Sequence, residues 1–240
     1  MRVKRILVLA NSFRMHPNRC IAGREVTSDG GQISVGGWIR PISTHGEGEL
    51  SFRDRVLTKG TEPKVMDLIE VPLSGSANDP FQPENWFTTG ERSWKDVTKH
   101  HLRPSLDLLV EEPEDLWMGM EAGRSDRVSH TTLQASPPQQ SLYLVRPTGL
   151  RFQLYSQIWE DKTKHRQRAL FNYHGVDYDI SITDPVFLEK HCEDIPAPDE
   201  PRREFTLPCG DNVYLCLSLT RVYEGHHYKI VATILGARNE

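Results

Sequence analysis

Six residues near the N-terminus could hold a phosphate and stack a base: Asn11, Ser12, Arg14, Arg19, Trp38 and Arg40. Guanidinium groups grip phosphate oxygens, amides and hydroxyls meet polar edges, and an indole offers a stacking face. Trp38 and Arg40 stand two apart, so in an extended segment they share one face. Arg14 and Arg19 flank a turn around His16-Pro17-Asn18. The same cations also suit a solvated loop, and the same indole suits a core. A second set lies further on. Lys162, Lys164, Arg166 and Arg168 form the most basic run of the chain. Lys164, Arg166 and Arg168 fall on one face if extended, which fits a phosphate track or a charged edge strand. Tyr173 follows as a stacking candidate, whereas Tyr178 fits a buried face.

No catalytic constellation stands out. Cys20 with His16 or His45 lacks an identifiable third, orienting group. His191, Cys192, Cys209, Cys216, His226 and His227 are metal-ligand types without the short paired spacings of zinc sites. The expectation is therefore no catalytic residue, no metal and no cofactor. Four irregularly spaced cysteines among 240 residues suit reduced thiols in a cytoplasm. No apolar run is long enough to span a bilayer, and the opening MRVKRILVLANS reads as a strand and not as a signal peptide. With 37% hydrophobic and 26% charged residues the chain reads as globular, and its net charge of -4 argues against whole-surface nucleic-acid binding but permits a local basic groove.

The elements that must position these residues are mostly strands. Ile6 to Leu9 is apolar without alternation, as in a strand buried on both faces. Asn11-Ser12 reads as a turn after it. Cys20 to Val26 is a second strand, in which Gly23 marks a bulge or a close backbone approach. Ser28 to Gly31 is a hairpin turn, and Gly37 to Ile42 a third strand. A short helix is expected around Phe52 to Leu57, strands over Met66 to Leu73 and Gln82 to Thr88, and a helix from Ser93 to before Pro104 with Asp96 as capping partner. A further helical piece is read over Ser105 to Leu109.

In the second half, strands are read over Leu142 to Arg146, Arg151 to Ile158 and Arg166 to Tyr173. Val176 to Ile182 alternates cleanly after a turn at His174-Gly175. Asp184-Pro185 opens a helix, with Asp as N-cap and Pro at the first position. Val213 to Thr220 and Tyr228 to Leu235 make a last hairpin. Short antiparallel strands joined by turns predict a mainly β, α+β protein of small barrels or rolls. An α/β layer is the alternative for the first half. The proline- and glycine-bearing stretch Glu111 to Pro138 predicts a boundary, with domains over 1–118 and 139–240 and a linker over 119–138.

ILVLANSFR, RCIAGRE, WIRPI, DLIEVPL and QPENW, followed by ALFNYHGVDYDISITDP, YLCLSL and YKIVATIL, resemble the dual-OB domain family of prokaryotic conflict, or defence, loci. The resemblance implies two tandem OB-like barrels with a few short helices. It also implies binding of nucleic acid or a nucleotide-like ligand, protein partners from the same locus, and no catalytic residues. Three functions stay open: a single-stranded nucleic-acid module, a sensor of a small nucleotide, and an enzyme on a nucleotide-like substrate.

Overall fold

The continuous apolar run at the start becomes the most buried strand of the first half. The computed structural model describes residues 2–13, 17–29, 32–90, 93–98, 104–208 and 212–236. Strand β1 (Arg2–Phe13) carries Ile6, Leu7, Val8 and Leu9, all fully buried. Ile6 and Val8 point into the core with Ile21, Ile39, Ile69 and Trp94. Asn11 and Ser12 do not turn as expected. They extend β1 opposite Ile21 and Cys20 of β2 (Arg19–Asp29), because ladder hydrogen bonds outweigh local turn preference. Gly23 does mark a close approach: a Cβ there would lie 2.0 Å from the Leu7 carbonyl oxygen.

β3 (Gln32–Ile42) completes a meander. Helix α1 (Phe52–Arg55) follows, closed by a reciprocal capping box between Ser51 and Asp54. β4 (Leu68–Ser76) and β5 (Asn85–Thr88) come next. The expected helix at Ser93 is instead strand β6 (Lys95–Asp96), paired to β4. Asp96 bonds Lys59 and the Thr98 amide, so it is not available as a capping partner, and Trp94 is buried in the core. Residues 99–103 of that expected helix lie outside the described residues. The last helical piece is a single 3-10 turn, Leu106–Leu108.

The first sheet runs β1-β2-β3-β5-β4, and β4 pairs back on β1, closing a five-stranded barrel. β3 and β5 are parallel. This is OB connectivity, with the helix between the third and fourth strands.

The second sheet repeats that path. Its strands are β7 (Arg127–Ser129), β8 (Leu142–Val145), β9 (Thr148–Trp159), β10 (Lys162–Tyr173), β11 (Val176–Ile182), β12 (Arg203–Phe205), β13 (Tyr214–Tyr223) and β14 (His226–Leu235). The order β9-β10-β11-β14-β13 has the same 1-2-3-5-4 sense, and β11–β14 is its parallel pair. β12 flanks β9 and β8 flanks β13. Helix α2 (His130–Ala135) follows β7. Helix α3 (Pro185–His191) stands between the third and fourth strands of the repeat, as α1 does in the first. Its N-cap is Asp184, whose other oxygen accepts from the Ile234 amide of β14 at 2.8 Å. The chain forms two compact units, one of residues 1–109 with 138–142 and one of residues 110–137 with 143–240.

The second unit buries a lysine. Lys229 on β14 donates to the Gly119 carbonyl at 2.5 Å and lies 5.3 Å from the Tyr178 ring centre. Burial pushes its pKa down to about 8, while burial pushes Tyr173 and Tyr178 up to about 12. Between pH 8 and about 9 the unfolded chain keeps the lysine proton that the folded chain has lost, so stability should rise with pH, by about 1.4 kcal/mol per unit. Burial also pushes the Cys192 thiol up to about 11, so from about pH 9 the unfolded thiol loses a proton that the folded one keeps and the rise is cancelled. Above about pH 10 the unfolded tyrosines do the same, and stability should fall. Urea midpoints across this range should rise to a plateau near about pH 9 and fall above about pH 10. Lys229→Met should remove the rising limb, and a limb that survives in the variant would assign it elsewhere.

Candidate nucleic-acid interface

The N-terminal set divides into two groups. Arg19 stands opposite Phe13 at the end of the β1–β2 hairpin, with its guanidinium 3.9 Å from the Phe13 ring centre. Its backbone pairs both ways with Leu50. Asn11 donates its amide to the Pro63 carbonyl at 3.2 Å, and Ser12 is buried. Arg14 lies outside the described residues. Trp38 and Arg40 do share a face, opposite the core residue Ile39, but that face is covered: they are 6% and 5% exposed. Arg40 is held by Glu84 at 3.3 Å and Asn85 at 3.5 Å. Glu84 in turn accepts from the Ser141 amide and hydroxyl. Trp38 has the Arg24 guanidinium 5.8 Å from its ring. In this structure Trp38 and Arg40 belong to the packed outer layer of the first barrel.

The basic run of the second unit lies elsewhere. Glu160 and Asp161 both have positive φ, 49° and 58°, and form the two-residue turn of a type I′ hairpin. That turn sets the register. Lys162, Lys164, Arg166 and Arg168 on β10 stand directly opposite Trp159, Gln157, Tyr155 and Gln153 on β9. Directly opposed residues share a sheet face, so cations and aromatics interleave on one surface. Trp159 is 53% exposed at its end. The Lys164 amine lies 5.6 Å from the Trp159 ring centre, and Arg202, arriving before β12, lies 4.2 Å from that of Tyr155. Arg202 also donates to Gln153 at 3.0 Å. With its amide oxygen toward Arg166, Gln157 accepts from that guanidinium at 2.9 and 3.2 Å.

Arg168 and Tyr173 depart from this surface. Arg168 is drawn into an ion-pair network, with Asp179 at 2.6 Å, Ser181 at 2.5 Å and Asp126 at 3.5 Å. Burial works against the Asp126 charge, but Arg124 and Arg168 beside it hold its carboxyl below the ordinary range. Tyr173 is buried. Its hydroxyl donates to the Pro113 carbonyl at 2.9 Å and its ring stacks on His174 at 4.3 Å. Tyr155, Trp159 and Arg202 were missed by sequence reasoning. Their signal was available: Tyr155, Gln157 and Trp159 alternate, and a two-residue turn places them against the lysines.

Among the described residues no three His, Cys, Asp or Glu side chains gather as a metal site, and Cys20, Cys192 and Cys216 are thiols rather than disulfides. Among the described residues no helix is long and apolar enough to cross a membrane. A family model described as a dual OB-containing domain matches residues 4–234. No curated protein and no solved structure matches the chain significantly.

Proposed function

The chain belongs to the dual OB-containing domain family, and from that membership we propose that it binds single-stranded nucleic acid without catalysing a reaction. One observation carries the reading: on β9 and β10, Lys162, Lys164 and Arg166 oppose Trp159, Gln157 and Tyr155 rung by rung. Cations spaced along an extended strand follow a phosphate backbone, and exposed aromatics beside them stack bases of any sequence. OB folds hold oligonucleotides on the second and third strands and the first hairpin loop, which in this unit are β10, β11 and the Glu160-Asp161 turn. The net charge of -4 is compatible, because the basic surface is local. Arg19 and Asn11, at the matching hairpin of the first barrel, are proposed as a second, weaker point of attachment.

The test is a titration of the intact protein with eight-nucleotide thymidine and uridine oligomers at several salt concentrations. Lys164→Glu with Arg166→Glu should weaken binding and flatten the salt slope by roughly 0.7 for each phosphate that is no longer neutralised. Trp159→Ala should cost about 1–3 kcal/mol of affinity, with folding retained because the ring is half exposed. Parental affinity and slope in both variants would remove this face from the interface. The setting of a prokaryotic defence locus, with partners from that locus in the cytoplasm, is proposed on the sequence resemblance. It is checked by which proteins co-purify with the tagged chain from its native cells.

A further inference from the structure

The interleaved face does not end at Arg166. Past the Arg168 rung, roughly 13 Å further along the sheet, it opens into a cavity of about 350 Å³. Its lining includes Arg151, Leu170, Asn172, Asp177, Tyr178 and Asp179. The ladder explains why they meet. Leu170 stands opposite both Arg151 and Asp179, and Asn172 opposite Asp177, with a register shift between Leu170 and Asn172 that opens the sheet. The floor is apolar and the rim is polar, and the volume lies in the range of small-ligand sites. Arg151 is exposed and makes no hydrogen bond or ion pair among the described residues. Asp177 is exposed and receives a bond from the Asn172 side-chain amide at 2.8 Å. Asp179 gives one oxygen to Arg168.

Resting on the reading of this face as a strand-binding track, we infer that the cavity selects guanine. Two carboxylates on one strand face can only accept hydrogen bonds. They therefore favour a base edge that presents adjacent donors. Guanine's Watson–Crick edge does so, with N1–H beside the N2 amine, and single-stranded bases are read on that edge. Adenine and cytosine place a ring acceptor next to their amine. Uracil and thymine flank one N–H with two carbonyls. Each of those would set an acceptor against a carboxylate. Leu170, on the same sheet face as the two carboxylates, supplies an apolar surface for the base, and Arg151 offers its charge to the attached phosphate. The shared chemistry is a guanine carrying a phosphate, either within a strand or as a free nucleotide.

The experiment uses the full chain and four probes: an eight-nucleotide thymidine oligomer, the same oligomer with one guanine, guanosine 5′-monophosphate, and inosine 5′-monophosphate, which lacks the N2 amine. The guanine-bearing oligomer should bind at least about fivefold tighter than plain thymidine, and the guanosine nucleotide tighter than inosine. Asp177→Asn, an exposed substitution, should erase both preferences. Equal binding of the two oligomers, with loss in the Lys164→Glu, Arg166→Glu variant, would overturn the guanine pocket and keep the track. Guanosine nucleotide binding that needs Asp177, without oligomer binding, would keep the pocket as a free-nucleotide site and overturn the track. A preference that survives Asp177→Asn, or no binding of any probe, would overturn the pocket.

Discussion

Arg40→Met should destabilise the protein by about 3–5 kcal/mol, as expected when one partner of a buried ion pair is removed. The side chain of Arg40 is 6% exposed and that of Glu84 4%. Methionine fills much of the arginine volume, so the cost is electrostatic more than steric. What remains is an enclosed carboxylate met by the neutral Ser141 amide and hydroxyl. Adding Glu84→Gln should recover most of the loss, because the double variant buries no net charge. Denaturant unfolding of the parent, both single variants and the double variant measures the coupling. A midpoint for Arg40→Met equal to the parent's would show that the pair does not hold the outer layer. The same four proteins, titrated with oligonucleotide while folded, separate stability from binding.

Gly23→Ala should cost about 3 kcal/mol or more. The added methyl would sit 2.0 Å from the Leu7 carbonyl oxygen and 2.7 Å from its carbon. Both are backbone atoms of a paired strand, so neither can move aside without parting β1 from β2. Overpacking usually costs less because a side chain can rotate away. Gly37→Ala is the control, since nothing lies within 4 Å of its Cβ position, and it should stay within about 0.5 kcal/mol of the parent. Equal midpoints for the two variants would mean that β1 gives way at Leu7.

What could be read from the sequence follows the range of the forces involved. The Ile6–Leu9 run, the alternation from Val176 to Ile182 and the Asp184-Pro185 helix start are set by neighbours in the chain. The closing pair of the barrel, Ile6 opposite Ile69, is not. Nor is the burial of Trp38 and Arg40, because the carboxylate that fixes Arg40 arrives at Glu84 and its own support at Ser141. The helix expected at Ser93 gave way to pairing with β4, a partner far back in sequence. The candidate interface was half visible. Lys164 and Arg166 read as a stripe, but only the register of the Glu160-Asp161 hairpin reveals the aromatics beside them. Arg168 looked equivalent to those two until Asp126 and Asp179, from other strands and loops, claimed it.

Residues 138–142 belong to the first unit, although the chain has already entered the second at Val110. During synthesis the first barrel therefore cannot be finished when its last strand leaves the ribosome. Glu84 must wait for Ser141, and in that interval Arg40 meets its charge without that support. A nascent chain stalled after Leu109 should be more easily cut by protease than one stalled long enough to expose Leu142. The order of translation thus ties completion of the first half to the arrival of residues beyond the start of the second.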